Sequence, residues 1–112
     1  MDVILEKKPP VTIVRLNGRM NAATVKPFEE TLLRAIDGGE LRVLIDFTGC
    51  DYIDSSGLRV MLIALKRLMA LKGKLVLCSM NPHITKIFTI AGLTAVFPIR
   101  GTEDEGIATA SE

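Results

Sequence analysis

The sequence has no tryptophan, one tyrosine, four phenylalanines, one histidine and two cysteines. So few rings leave no stacking platform for nucleotide bases. Charge of one sign is lacking too: fourteen basic residues are interspersed with thirteen acidic ones, for a net charge of +1. No stripe stands ready to neutralise a phosphate backbone, and nucleic acid is not an expected partner. Long hydrophobic runs are absent: the longest, Val60 to Leu65, is far below the roughly 20 residues a membrane-spanning helix needs. Met1-Asp2-Val3-Ile4-Leu5-Glu6 carries acids where a signal peptide wants lysines. The expectation is a cytoplasmic protein with no membrane insertion. Cys50 and Cys78 lack the paired short spacings of a zinc site and do not make a disulfide framework, so they read as free thiols at the ends of core strands. With no metal cluster and no glycine-rich phosphate cradle, no cofactor is expected.

What is present is a single domain's worth of patterned sequence. A chain of 112 residues buries roughly two thirds of its unfolded surface, enough for one core without staples. Val3-Leu5 and Val11-Leu16 are β-branched runs around Lys7-Lys8-Pro9-Pro10, which predicts an opening antiparallel hairpin. Asn17-Gly18 reads as a turn. Val25, Phe28, Leu32 and Ile36 then recur at helical spacing, with Thr24 as N-cap, Pro27 in the first turn and Gly38-Gly39 as the stop. Leu41 to Phe47 is almost continuously apolar, as a strand buried on both faces should be. From Ser55 a second helix places Leu58, Met61, Leu62, Leu65, Leu68 and Met69 on its apolar face and ends at Lys72-Gly73. Lys74 to Cys78 is a further strand. Asn81-Pro82 starts a third helix through Ile84, Ile87, Phe88 and Ile90, closed by Gly92. Val96-Phe97-Pro98-Ile99 reads as an edge strand because of its proline, and 101–112 as a polar acidic tail, frayed or briefly helical.

This order predicts an α/β fold: a mixed four- to five-stranded sheet covered by three to four helices, with a core over about 3–99. In such sheets the carboxyl ends of parallel strands share one edge, which should gather Asn21, Asp54, Ser55 and Ser79. The candidate site is the junction Cys50-Asp51-Tyr52-Ile53-Asp54-Ser55-Ser56-Gly57-Leu58, where an apolar strand gives way to a helix.

Leu16-Asn17-Gly18-Arg19-Met20, Leu44-Ile45-Asp46-Phe47, Asp51 to Leu58, Gly73-Lys74-Leu75 and Ile87 to Leu93 together carry a resemblance, over nearly the whole chain, to the STAS domain of bacterial anti-sigma factor antagonists. The resemblance implies a single STAS domain over 1–112. It also implies a partner switch in which Ser55, directly after Asp54, is phosphorylated by a protein that is both serine kinase and anti-sigma factor. The unphosphorylated antagonist occupies that partner and frees its target; the phosphorylated form lets go, and a phosphatase would reset it. One departure is Asn21, where many members of the family have an acid; it keeps the turn and loses a charge near Ser55.

The physics of such a switch is visible in the residues. A phosphate on Ser55 adds nearly two negative charges where a helix offers free N–H groups and a positive dipole end, so the fold tolerates it. For a docked partner, desolvating that group costs several kcal/mol, against the roughly 1.4 kcal/mol that changes an affinity tenfold. The expected contact surface comprises Asn21, Asp54, Ser55, Ser56 and Gly57, a loop over Thr48-Asp54, and Arg59, Ile63 and Lys66 on the outer face of the following helix. Other readings stand beside these. Ser55 and Asp54 are also what helix capping demands. Gly57 serves either close packing or kinase access, and His83 is read as a solvated surface residue. A STAS scaffold subunit without a switch, in a sensory or lipid-transport complex, is the alternative function. An enzyme with Ser55 as nucleophile is disfavoured because the Gly-x-Ser-x-Gly elbow is absent and His83 is the lone histidine.

Overall fold

Five strands and four helices follow the chain in the order β1 (Asp2–Lys8), β2 (Val11–Met20), α1 (Lys26–Asp37), β3 (Arg42–Ile53), α2 (Ser55–Ala70), β4 (Lys74–Cys78), α3 (Pro82–Ile90), a 3-10 turn (Leu93–Ala95), β5 (Ile99–Arg100) and α4 (Glu103–Ser111). The computed structural model describes all of residues 1–112. The sheet order is β1-β2-β3-β4-β5. β1 and β2 form the expected antiparallel hairpin, with a cis peptide between Pro9 and Pro10, and β2 to β5 are parallel.

Three crossovers stepping in one direction along a sheet, all of one hand, put their helices on one face. α1, α2 and α3 accordingly share a core with that face, through Phe28, Leu32 and Ile36, then Val60, Met61, Ala64 and Leu68, then Ile84 and Phe88. The other face buries Val11, Ile13, Leu44, Val76 and Cys78 under Ala110 of α4. β3 lies centrally, as its apolar run requires, and Val43, Leu44, Ile45 and Phe47 are all buried.

Tertiary structure overrides several local signals. Asn17-Gly18 is not a turn: β2 continues to Met20, Gly18 takes a φ of 115°, and bulges let β2 and β3 stay paired to Met20↔Ile53. Thr48-Asp54 is therefore strand as far as Ile53, not a loop. Thr24 does not cap α1. Val25 holds that position without a side-chain bond, because the Thr24 hydroxyl is engaged by the Arg19 carbonyl and the Asn21 amide in the preceding turn. Met69 and Ile90, placed by spacing on apolar faces, are 67% and 76% exposed, because at about 100° per residue each is turned away from the buried face that Leu68 and Phe88 occupy in the same last turns. The edge strand begins only after Pro98, and the segment before it makes the 3-10 turn.

Of the two readings of residues 101–112 the helical one holds, and the helix is docked on the sheet as α4 rather than left as a tail outside the core. Thr102 caps α4 by accepting from the Glu105 N–H, and three acids in the first turn suit its dipole. Glu103 is gripped by Arg15, which also binds Glu6 and Asp46, and Lys8 adds a bond of 3.1 Å. At the far end Arg42 donates to the carbonyls of Ala110 and Glu112, and Lys74 to that of Thr109. Gly106 lets the helix lie flat on the sheet, since a Cβ there would stand 2.7 Å from Leu44 Cδ1.

Candidate functional site

The junction between β3 and α2 is built by Asp54. Its backbone stays extended (φ −120°, ψ −171°) while Oδ1 accepts from the Ser56 N–H at 2.9 Å, and its carbonyl takes the first rung of the helix from Leu58 at 3.2 Å. Asp54 is therefore the cap. Ser55 occupies the first helical position, exposed, with its hydroxyl outside every hydrogen bond of the protein. No acidic residue sits in that first turn, so the positive end of the helix dipole is answered by Asp54 alone.

The sheet ties Asn21 to this point. The Asp54 N–H donates to the Met20 carbonyl at 3.1 Å, one residue before Asn21. Asn21 then organises its own turn: Oδ1 accepts from the Ala23 N–H at 2.9 Å, and its carbonyl takes the Thr24 and Val25 amides. Amide and acid are interchangeable acceptors in that geometry, which is why the turn survives without a carboxylate. Gly57 is buried against the same strands, and a Cβ there would collide with Met20 Sδ and lie 2.9 Å from Ile53 Cγ1. Close packing explains it.

The other expected residues distribute along α2. Ser56 is half-buried and lends its amide to the cap, Arg59 reaches Glu29 of α1 at 3.6 Å, and Lys66 is exposed without an ion pair. Ile63 is half-buried rather than fully wet. Ser79 does not join the group: it follows Cys78, whose register partner is Asp46, while β3 runs on to Ile53. At about 3.3 Å per residue that separates it from the cap by on the order of 15–20 Å. His83 takes its place beside the extended β3, its ring near-parallel to Tyr52 at 6.4 Å between centroids, and the Arg19 guanidinium lies 4.3 Å from the same Tyr52 ring. Nothing in the sequence spacing signals that stack, because its three members come from β2, β3 and α3.

The thiols take no part. Burial raises both, Cys78 to about 11, and keeps them protonated as core groups. Nor is there a small-molecule pocket at this edge. Two clefts of about 170 and 230 Å³ lie at the opposite edge, lined by residues such as Arg42 and Lys74 or Pro10 and Glu40, below the roughly 300 Å³ at which ligand pockets begin. No helix is long and apolar enough to cross a membrane.

A three-layer domain with the sheet order β1-β2-β3-β4-β5 and an unengaged serine at the N-terminus of α2 defines the class of small single-sheet α/β modules. This chain belongs to the STAS domain family, whose model matches residues 2–106. It is 36% identical over 108 residues, 96% of this chain and 93% of the relative, to a Bordetella bronchiseptica protein that carries the name anti-sigma factor antagonist BtrV. A Thermotoga maritima crystal structure described as an anti-sigma factor antagonist superposes with a TM-score of 0.92 at 19% identity, over 98% of this chain and 95% of that one, and so speaks for the fold. The phosphorylated form of the Bacillus cell-fate determinant SpoIIAA superposes with a TM-score of 0.76 at 25% identity, over 96% of this chain and 98% of that one.

Proposed function

We propose that this protein is an anti-sigma factor antagonist that works by partner switching in the cytoplasm. Unphosphorylated, it binds an anti-sigma factor with serine kinase activity through the edge formed by Asn21, Asp54, Ser55 and Ser56, which the buried Gly57 supports from beneath, and the outer side of α2 at Arg59, Ile63 and Lys66. Phosphorylation of Ser55 releases the partner, and a phosphatase restores binding. The observation that carries this reading is the free Ser55 hydroxyl: Asp54 alone fulfils the cap, so the serine is spared for chemistry at no cost to the helix. The relative's name and the existence of a phosphorylated SpoIIAA structure support it.

Energetically, the phosphate would enter a first turn with no acid of its own and meet the dipole there, so α2 gains rather than loses. A partner seated on the same surface would have to strip water from two added negative charges or face them, and either costs more than a protein interface of ordinary affinity has to spare. In this reading the protein acts by binding its partner, and the phosphoryl-transfer chemistry belongs to the kinase.

A pull-down from native lysate with wild-type, Ser55→Ala and Ser55→Asp baits tests the reading. Capture of one ATP-dependent serine kinase by the first two and not the third is expected. Equal capture by all three would sink the switch and leave a constitutive scaffold.

A further inference from the structure

Arg19, Tyr52 and His83 form the one ordered side-chain stack on the exposed surface of this edge, and neither the capping nor the phosphorylation of Ser55 requires it. Arg19 and Tyr52 are register partners on β2 and β3, immediately before the pair Met20↔Ile53 that leads into Asp54. Arg19 is exposed and forms no ion pair and no side-chain hydrogen bond, so all its N–H donors are free. Other free cations exist, such as Arg34 and Lys72, but none of them rests on a ring. His83 lies near-parallel to Tyr52 at 6.4 Å between ring centroids, and is itself placed near the start of α3 by Pro82 and by the Asn81 side chain accepting the Ile84 N–H at 2.8 Å. The Arg19 backbone is pinned as well, by strand pairing and by the Thr24 hydroxyl on its carbonyl.

A guanidinium lying on an aromatic ring keeps its planar edge open, and that edge matches the two oxygens of a carboxylate. Its position is already ordered, so binding immobilises little more. Arg and Tyr are also the residue types that dominate protein interfaces when set in a rigid cluster. With Asn21 neutral in the adjacent turn, Arg19 is the charged group of β2 and its following turn at this edge.

We propose that the Arg19-Tyr52-His83 stack is a specificity element of the partner interface, docking a carboxylate on the surface of the anti-sigma kinase. This rests on the partner-switch reading for the identity of the partner and adds the charge it must present. A partner carrying a basic residue at that point would be rejected by Arg19.

The test measures the affinity of the kinase recovered by the Ser55→Ala bait for purified wild-type, Arg19→Gln, Arg19→Lys, Tyr52→Leu and Ser55→Asp proteins, at low and raised salt. Arg19→Gln is expected to weaken binding at least tenfold and flatten its salt dependence, with an unchanged melting temperature, and Arg19→Lys to recover only part. Wild-type affinity for Arg19→Gln overturns the proposal even if Ser55→Asp abolishes binding. A weak Arg19→Gln beside a fully binding Ser55→Asp overturns the switch and keeps this surface. If no kinase is captured, amide shifts on titration with hexaglutamate decide: changes concentrated at Arg19, Tyr52 and His83 support the stack, and changes spread equally over Arg34 and Lys72 overturn it.

Discussion

At the scale of single residues, Asp54, Ser55 and Gly57 stand in three different environments within four positions: a cap, an exposed unbonded hydroxyl and a buried close approach. Asp54 closes the helix, and Asp54→Ala should cost about 1 kcal/mol in chemical denaturation, the ordinary worth of an N-cap. Ser55→Ala should change stability by less than about 0.5 kcal/mol, as an exposed residue without partners does. Gly57→Ala should cost about 1–3 kcal/mol, because the added methyl meets Met20 and Ile53 on strands that cannot retreat. Stability ordered Asp54→Ala below wild type and Ser55→Ala equal to it separates cap from modification site. The reverse order would return Ser55 to the role of cap. Much of this was legible locally: Ser-Ser-Gly after an acid at the end of an apolar run signals a helix start. Which of Asp54 and Ser55 does the capping was not legible, since both side chains suit the task and only the observed backbone angles choose.

At the scale of elements, α4 is the least expected and the most electrostatic. Arg15 is the first cause of a Glu103 carboxyl pulled from an ordinary 4.5 to about 2, opposed by desolvation and helped by Lys8. The same contact, with Glu6 and Asp46, raises Arg15 further above its usual value. A carboxyl lowered on folding stabilises the native state above its unfolded pKa, and the contribution disappears as protonation proceeds. Wild-type melting temperature should therefore hold above about pH 4.5 and fall as the pH drops toward 2. Glu103→Gln should lie lower at neutral pH and fall less steeply over that interval, which thermal unfolding across a pH series will show. Parallel slopes for the two proteins would mean that the cluster does not hold α4. The element was half legible: Thr102-Glu103-Asp104-Glu105 has the form of a capping box. Its low apolar content concealed it, because three small residues, Gly106, Thr109 and Ala110, with Ile107 at the margin, bury a helix lying flat on a sheet.

At the scale of the whole molecule, the fold separates two faces and two edges by task. Three helices cover one face as a consequence of crossover handedness, α4 seals the other, and the carboxyl-end edge is left as a flat surface with a free serine and an aromatic-backed cation. Modification at Ser55 should accordingly alter binding and not folding. Phosphorylated protein is expected to melt at or slightly above the temperature of the unmodified form while losing its partner. A clear drop in melting temperature on phosphorylation would instead point to release by local unfolding. The sequence by itself determined what nearest neighbours along the chain decide: the hairpin, the alternation of strand and helix, the Asn81-Pro82 start and Gly92 end of α3, and the serine at the start of α2. These follow from periodicity, capping and backbone restriction, which act within about one turn. Only the tertiary structure decided the extension of β3 to Ile53, the docking of α4 and the meeting of Arg19, Tyr52 and His83. Each of these depends on strand register between segments far apart in the chain, where hydrogen bonds across the sheet outweigh the local turn and cap preferences that spacing alone can read.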